Sequence, residues 1–405
     1  MELNTGNTAW VLISSALVML MTPGLGLFYG GLVRKKNVLS TLMHSYFILC
    51  LIAIVWALWG YSIAFSGTGR FIGNLDNVFL RGVDATPGAT GVPATVFMFF
   101  QMMFAIITVA LISGAFAERK NFKAFVAFAI LWSTLVYSVV CHWVWAPGGW
   151  LFDYGAMDFA GGTVVHIASG VTALIAAIVI GRRVGVEKEG VTPHDIPMTL
   201  IGAGLLWFGW YGFNAGSALA ADGLAANAFI ATTLAAAAAG LSWVGMAWFR
   251  TGKPSVLGCG VGAVAGLVGI TPAAGFVSPM SSIVIGLVGG IVCFFAAELM
   301  KAGGQVDDAL DVFAVHGVGG IWGAIATGIF ADASLNGIGS DGLLFGNPEQ
   351  LVKQIVAVVA VIAYVSVVSF VLLKVVNTLF GLRASERAEV EGLDLSLHGE
   401  SAYQM

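Results

Sequence analysis

Apolar residues run almost unbroken for twenty or more positions at a time along this chain, and Gly, Pro, Asn and charged residues gather between the runs. Eleven runs can be placed, near 8–33, 38–65, 93–116, 124–145, 160–181, 195–219, 223–249, 255–275, 279–301, 309–331 and 350–381. A hydrocarbon layer about 30 Å thick is crossed by about 20 apolar residues of helix. The pattern therefore predicts an all-α polytopic membrane protein of eleven transmembrane helices. A membrane barrel would alternate polar and apolar residues in segments of about ten, and these runs do not alternate.

Charge sets the expected orientation. Arg34, Lys35 and Lys36 follow the first run, Arg119, Lys120 and Lys123 the third, Arg182, Arg183 and Lys188 the fifth, and Arg250 and Lys253 the seventh. The alternate loops hold only Arg70 and Arg81. Basic loops stay on the cytoplasmic side, so the N-terminus is expected outside and the tail 383–405 inside. No basic residue precedes Arg34, so the first run reads as a retained helix and not a signal peptide. Residues 66–92 and 331–349 read as polar outer loops. The acidic tail is too short for a catalytic domain and long enough for a docking or regulatory segment.

Composition agrees. Of 405 residues, 58% are hydrophobic and 10% charged, against about 25% charged in soluble domains. A net charge of -4 gives no nucleic-acid role. Cys50, Cys141, Cys259 and Cys293 fit no metal spacing and read as buried apolar residues. Much of the glycine excess repeats at i+4: Gly258, Gly262 and Gly266, Gly212 and Gly216, Gly286 and Gly290, Gly319 and Gly323. Such faces let helix backbones approach in lipid, so they need no ligand.

Two histidines break the apolar pattern. His166 ends the stretch Asp158-Phe159-Ala160-Gly161-Gly162-Thr163-Val164-Val165-His166, and His316 follows Asp311-Val312-Phe313-Ala314-Val315. An ionisable group at membrane depth marks a pathway or site. The two lie roughly mid-run in spans five and ten, which cross in opposite directions. That parity fits an inverted five-plus-five repeat, about 8–181 and 195–331, with 350–381 as an extra helix. Inverted repeats place their site at the repeat interface near mid-membrane, so two imidazoles are expected to face one lumen. The plain alternative is that each histidine caps a carbonyl of a neighbouring helix and never meets the other.

Aromatic residues gather toward the outer side. Phe100 and Phe104, at i and i+4, share a helix face. Trp143, Trp145 and Trp150 sit at the outer end of span four, where an interfacial belt is the plain reading. Span six ends Gly212-Phe213-Asn214-Ala215-Gly216-Ser217, and a helical serine usually bonds its own i−4 carbonyl. Together these residues make a vestibule of aromatic faces with one hydroxyl, suited to a small cation. An apolar passage with neutral imidazoles beneath would reject a bare ion through desolvation. The pair of environments points to a solute that is a cation in water and neutral in the pore. Asp158, at the outer start of span five, reads as a cap or as a support of the cation site.

These segments resemble the ammonium transporter family (Amt/MEP/Rh), on its prokaryotic Amt branch. The resemblance covers nearly the whole chain. It includes the two histidine stretches, Gly212 to Ser217, and the tail Glu391-Gly392-Leu393-Asp394 with His398-Gly399-Glu400. It implies a homotrimer with one pore per subunit and an ammonium recruitment site of Phe104, Trp145 and Ser217. It further implies an outer gate of Phe100, Phe104 and Phe213, a hydrogen-bonded pore pair His166 and His316, and Asp158 as the supporting carboxylate. Trp145 and Ser217 together separate the chain from the Rh branch. Asp308 matches an acidic family position to which no role is given. A PII-type signal protein at the cytoplasmic face is the implied partner. No cofactor or metal is expected.

Ammonium transport with separate proton transfer is thus the expected function, in a prokaryotic plasma membrane. A passive ammonia channel and an ammonium sensor acting through the tail stand as alternatives. An intramembrane enzyme stands last, since no nucleophile–base pair or metal-ligand spacing surrounds the histidines.

Overall fold

The computed structural model describes residues 2–186, 192–304, 306–335 and 337–403, so Lys188 lies outside the described residues. The chain is helical, with only isolated bridges at Pro87–Pro93 and Lys120–Arg383 among the described residues. The helices are α1 Thr5–Leu32, α2 Lys35–Phe65, α3 Ala94–Phe116, α4 Phe122–Tyr154, α5 Gly162–Ile180 and α6 Ile196–Gly216. They continue as α7 Gly223–Thr251, α8 Val256–Ile270, α9 Pro279–Gly303, α10 Phe313–Phe330 and α11 Pro348–Phe380. All but α8 are long and apolar enough to cross a membrane; α8 is apolar but shorter, 15 residues. The eighth run ends early because the backbone leaves the helix at Thr271 and turns through to Phe276. The protein is a multi-pass membrane protein.

Helix starts are written locally. Asn4, Asp195, Asp222, Ser255 and Ser278 each accept an N–H of the first turn of α1, α6, α7, α8 and α9. Such caps each contribute about 1 kcal/mol. Close approach follows the small-residue faces. A Cβ at Gly212 would stand 2.6 Å from the Ser14 carbonyl oxygen of α1, and one at Gly262 would stand 2.9 Å from that of Ala239 in α7. Any side chain there would push the helices apart.

Loops after α1, α3 and α5 meet at one end, together with the tail. Glu118 binds Arg34 at 3.0 Å and Arg183 at 3.2 Å, and Arg183 also binds Asp307 at 2.8 Å. The tail helix α12, Glu386–Glu391, is tied down by a bidentate pair: Arg383 donates to Glu389 at 2.5 and 2.9 Å. Asp394 then accepts the Leu39 and Ser40 N–H groups at 3.0 and 2.7 Å, capping the regular part of α2 from the far end of the sequence. The tail is therefore folded against the bundle as a docked segment. The cysteine expectation holds for two of four: Cys141 and Cys293 are buried, whereas Cys50 and Cys259 are exposed on the outer faces of α2 and α8. A thiol facing hydrocarbon carries no desolvation cost, so apolar sequence context does not fix its side of the helix.

Candidate functional site

The site is built where α5 and α10 begin. Asp158 stands four residues ahead of α5, and its carboxylate accepts the N–H groups of Gly161, Gly162 and Thr163 at 2.7, 2.6 and 2.7 Å, and that of Val164 at 3.3 Å. The Thr163 hydroxyl also donates to it. Gly161 makes this wrap possible: its φ is 119°, and a Cβ would lie 2.6 Å from Val165 Cγ2. The first turn, Gly162–Ile167, is wound as a π-turn with His166 in it. The second histidine repeats the device. Asp308 accepts the Phe313 N–H at 2.6 Å, and the π-turn Phe313–Gly317 carries His316.

Both histidines thus occupy first turns, which corrects the mid-helix expectation. The carboxylate caps hold each ring at a wide turn, a local device known at functional positions in helices. The capping acid of the second turn is Asp308, not Asp311. Asp311 sits at φ 56° and pairs with Lys301 at 2.7 Å.

The two rings meet. Nδ1 of His166 lies 3.2 Å from Nδ1 of His316, with both rings buried. Small residues allow this: a Cβ at Gly320 would lie 3.0 Å from His166 Cβ and 2.9 Å from the Gly162 carbonyl oxygen. A neutral pair sharing one proton between the Nδ1 atoms has one ring with a bare Nε2 and one with Nε2–H. The pair then offers both an acceptor and a donor, and His166 Nε2 has no protein partner. The carbonyl-capping alternative is realised elsewhere, by His142, whose Nδ1 lies 2.9 Å from the Ala64 oxygen.

A chain of ring contacts leads away from the pair. His166 stacks on Phe213 at 5.9 Å and on Trp210 at 5.5 Å between centroids. Phe213 meets Phe104 at 4.4 Å, Phe104 meets Phe100 at 4.9 Å, and Phe104 meets Trp145 edge-on at 5.7 Å. Trp145 Nε1 donates to the Asp158 carbonyl oxygen at 2.9 Å, so one residue positions both the indole and the histidine turn. Ser217 follows α6 directly, and its Oγ donates to the Phe213 carbonyl at 2.8 Å, the ordinary i−4 bond.

Two cavities adjoin the histidines. One, of about 10 Å³, is walled by both imidazoles with Leu25, Ile107, Leu206 and Val264, and has room for about one water-sized molecule. The other, about 730 Å³, is a vestibule on the side of the basic loops, where His316, Phe28, Tyr29 and Asp308 share a wall. Reading the sequence missed Trp210, Phe28 and Tyr29, and named Asp308 only as an acidic family position without a role. Trp210 lies three residues before Phe213 and so shares its helix face, a signal that was there to use. Nothing in the pattern of α1 marks Phe28 or Tyr29. No cluster of three metal-ligating side chains occurs among the described residues.

The model of the Ammonium Transporter Family matches residues 9–403. The chain belongs to that family. It is 51% identical over 403 residues to the ammonium transporter of Bacillus subtilis, covering 98% of each chain. It is 48% identical over 402 residues to ammonium transporter Amt1 of Archaeoglobus fulgidus, covering 99% of this chain and 100% of that one. The crystal structure of Candida albicans Mep2 superposes with a TM-score of 0.90 at 38% identity, covering 95% of this chain and 88% of that chain. A solved structure named Sensor Amt Protein has 28% identity and a TM-score of 0.89, covering 97% of this chain and 98% of that one.

Proposed function

We propose that the protein carries ammonium across the cell membrane, and that the ion crosses in two parts. Phe104, Trp145 and Ser217 recruit the cation at the outer mouth, where ring faces and a hydroxyl oxygen substitute for water. Phe100, Phe104 and Phe213 form the gate beneath. The cation gives up its proton there, because an apolar channel with neutral imidazoles does not compensate the loss of hydration of an ion. Ammonia passes His166 and His316, donating to one Nε2 and accepting from the other. The proton travels separately along the pair, and the transport is electrogenic. Asp158 supports the recruitment site through its carbonyl and its cap.

The observation that carries this reading is the Nδ1–Nδ1 contact at 3.2 Å at the end of an aromatic column. Replacing one ring tests it. His166→Ala should cut ammonium transport about tenfold or more, the scale of a lost proton-transfer group, and should admit potassium. Transport and potassium exclusion that both persist would sink the histidine part.

The same reading makes all eleven helices membrane crossings, with the N-terminus outside and two inverted repeats, 8–181 and 195–331, meeting at the histidines. Residues 1–382 form the transport domain of a homotrimer, and 383–405 form the cytoplasmic regulatory tail. Tail and basic loops gather at one end, which supports that orientation. The docked tail and its loops offer a surface for a PII-type partner. A sensor role has one observation in its favour, the likeness to a solved protein named as a sensor; deleting residues 383–405 would then abolish signalling and spare conduction.

A further inference from the structure

Asp158 and Asp308 stand at the same place in two similar turns, yet their carboxylates are used differently. Each lies eight residues before its histidine and accepts the N–H of the fifth residue on. Both oxygens of Asp158 are engaged, by four N–H groups and the Thr163 hydroxyl. Asp308 is engaged more lightly, by the Phe313 N–H on Oδ2 and more weakly by the Val312 N–H, with no hydroxyl beside it. Its Oδ1 is buried and has no partner, although the residue is only 8% exposed. A plain cap has no reason to leave a buried acceptor unmade. The position of Thr163 is taken in the second turn by Phe313, which brings no hydroxyl.

The surroundings of Asp308 are those of a titrating group. Tyr29 of α1 and His316 of α10 line the same vestibule wall. Arg119, from the loop after α3, is held by the neighbouring Asp307, donating to its carbonyl oxygen at 2.6 Å. Asp307 is itself occupied by Arg183, and Asp311 by Lys301 of α9. The nearby cations are therefore shared with other acids. Burial first, and then the Asp311 charge, push the Asp308 carboxyl up to about 7, against hydrogen bonds and Arg119 that pull it down.

We propose that Asp308 is the inner proton-exchange group of the transport path, accepting the proton that has crossed the histidine pair and returning it to ammonia or water in the vestibule. The inference rests on the electrogenic reading above. In the first step the proton released by ammonium forms an N–H bond on one ring of the pair as an N–H bond of the other ring breaks, so the pair stays neutral; vestibule water relays the proton, and an O–H bond forms on Asp308. In the second that O–H bond breaks and an N–H bond forms on ammonia, giving ammonium, or an O–H bond forms on water, giving hydronium. Inward delivery needs the carboxylate free, so it fails as internal pH falls through about 7.

Currents after an ammonium jump, with lumenal pH followed in the same proteoliposomes at several internal pH values, test this. Wild type should show a current that declines with internal acidification. Asp308→Asn keeps an acceptor for the Phe313 N–H. It should lose the current about tenfold or more, and lose its internal-pH dependence, while ammonia that still enters without its proton shows as a lumenal alkalinisation larger than that of the wild type. Asp308→Glu should restore the current with a displaced midpoint, and this variant decides the matter if the Asn variant does not fold. An unchanged current in Asp308→Asn, or an unmoved midpoint in Asp308→Glu, overturns this proposal alone. A wild type that passes ammonia without current overturns the electrogenic reading and this proposal together.

Discussion

The start of α5 and the start of α10 make an instructive pair. Both use an acid eight residues before a histidine, a left-handed residue three after the acid, and a π-turn holding the ring. The left-handed residue is Gly161 in one and Asp311 in the other. The residue capped at the fifth position is Thr163 in one and Phe313 in the other. Equal backbone devices have thus been given unequal side chains. The Asp158 turn is saturated with hydrogen bonds and serves as an anchor. The Asp308 turn leaves a carboxylate oxygen unused beside the vestibule that Tyr29 and His316 also line, as the proposed proton-exchange role requires.

The largest expected difference comes from deleting the two acids. Asp158→Ala leaves four N–H groups and one hydroxyl without their acceptor. At about 1–3 kcal/mol for each buried orphan, the protein should lose more than about 3 kcal/mol of stability. Asp308→Ala orphans the Phe313 N–H and should lose about 1–2 kcal/mol, the worth of a cap. Thermal unfolding of both variants in detergent measures this. Equal losses would break the comparison.

The left-handed residues come next. Gly161→Ala forces a Cβ into a backbone at φ 119° and against Val165, and should lower the melting temperature by several degrees. Asp311→Gly relieves a non-glycine residue at φ 56° and should be neutral or stabilising by up to about 1 kcal/mol. A destabilising Asp311→Gly would mean that the Lys301 pair outweighs the backbone term.

The smallest effect is electrostatic and concerns the end where the basic loops and the tail gather. Burial alone would raise Asp307, but the hydrogen bonds and charge of Arg183, with Arg119, hold it at about 2. Glu118 is likewise lowered by Arg183 and Arg34 against its burial. A depressed carboxylate contributes stability above its unfolded value, and that contribution is lost as pH falls through the folded value. Melting temperature should therefore drop between pH 3.8 and about 2, and less so in Asp307→Asn. Identical acid profiles for the two proteins would remove this network from the account.

Much of this was legible in the residues, for reasons that can be named. Lipid demands long apolar runs, so α1 to α7 and α9 to α11 stand out by length alone. The meeting of His166 and His316, observed at 3.2 Å, was expected from the opposite directions that an eleven-span count would give their helices. The π-turns did not show, because one extra residue in a single turn leaves no periodic trace; both histidines are accordingly expected mid-run from the sequence. The acid nearer to His316 in sequence, Asp311, drew attention, whereas Asp308 holds the turn. The half-used state of Asp308 depends on what Phe313 fails to supply, which no single-residue reading weighs. The docked tail was legible only as a motif. Its Gly392 stands at φ 112°, where a Cβ would lie 2.7 Å from Lys36 Cβ, so a side chain there would not fit.

The most direct test of the central claim, that the cation is split and its proton carried apart, is a simultaneous recording of current and lumenal pH in wild-type proteoliposomes after an ammonium jump. The account predicts a saturable current that potassium neither carries nor blocks, and that empty liposomes do not show. Lumenal alkalinisation with no current would contradict it and leave a neutral ammonia channel.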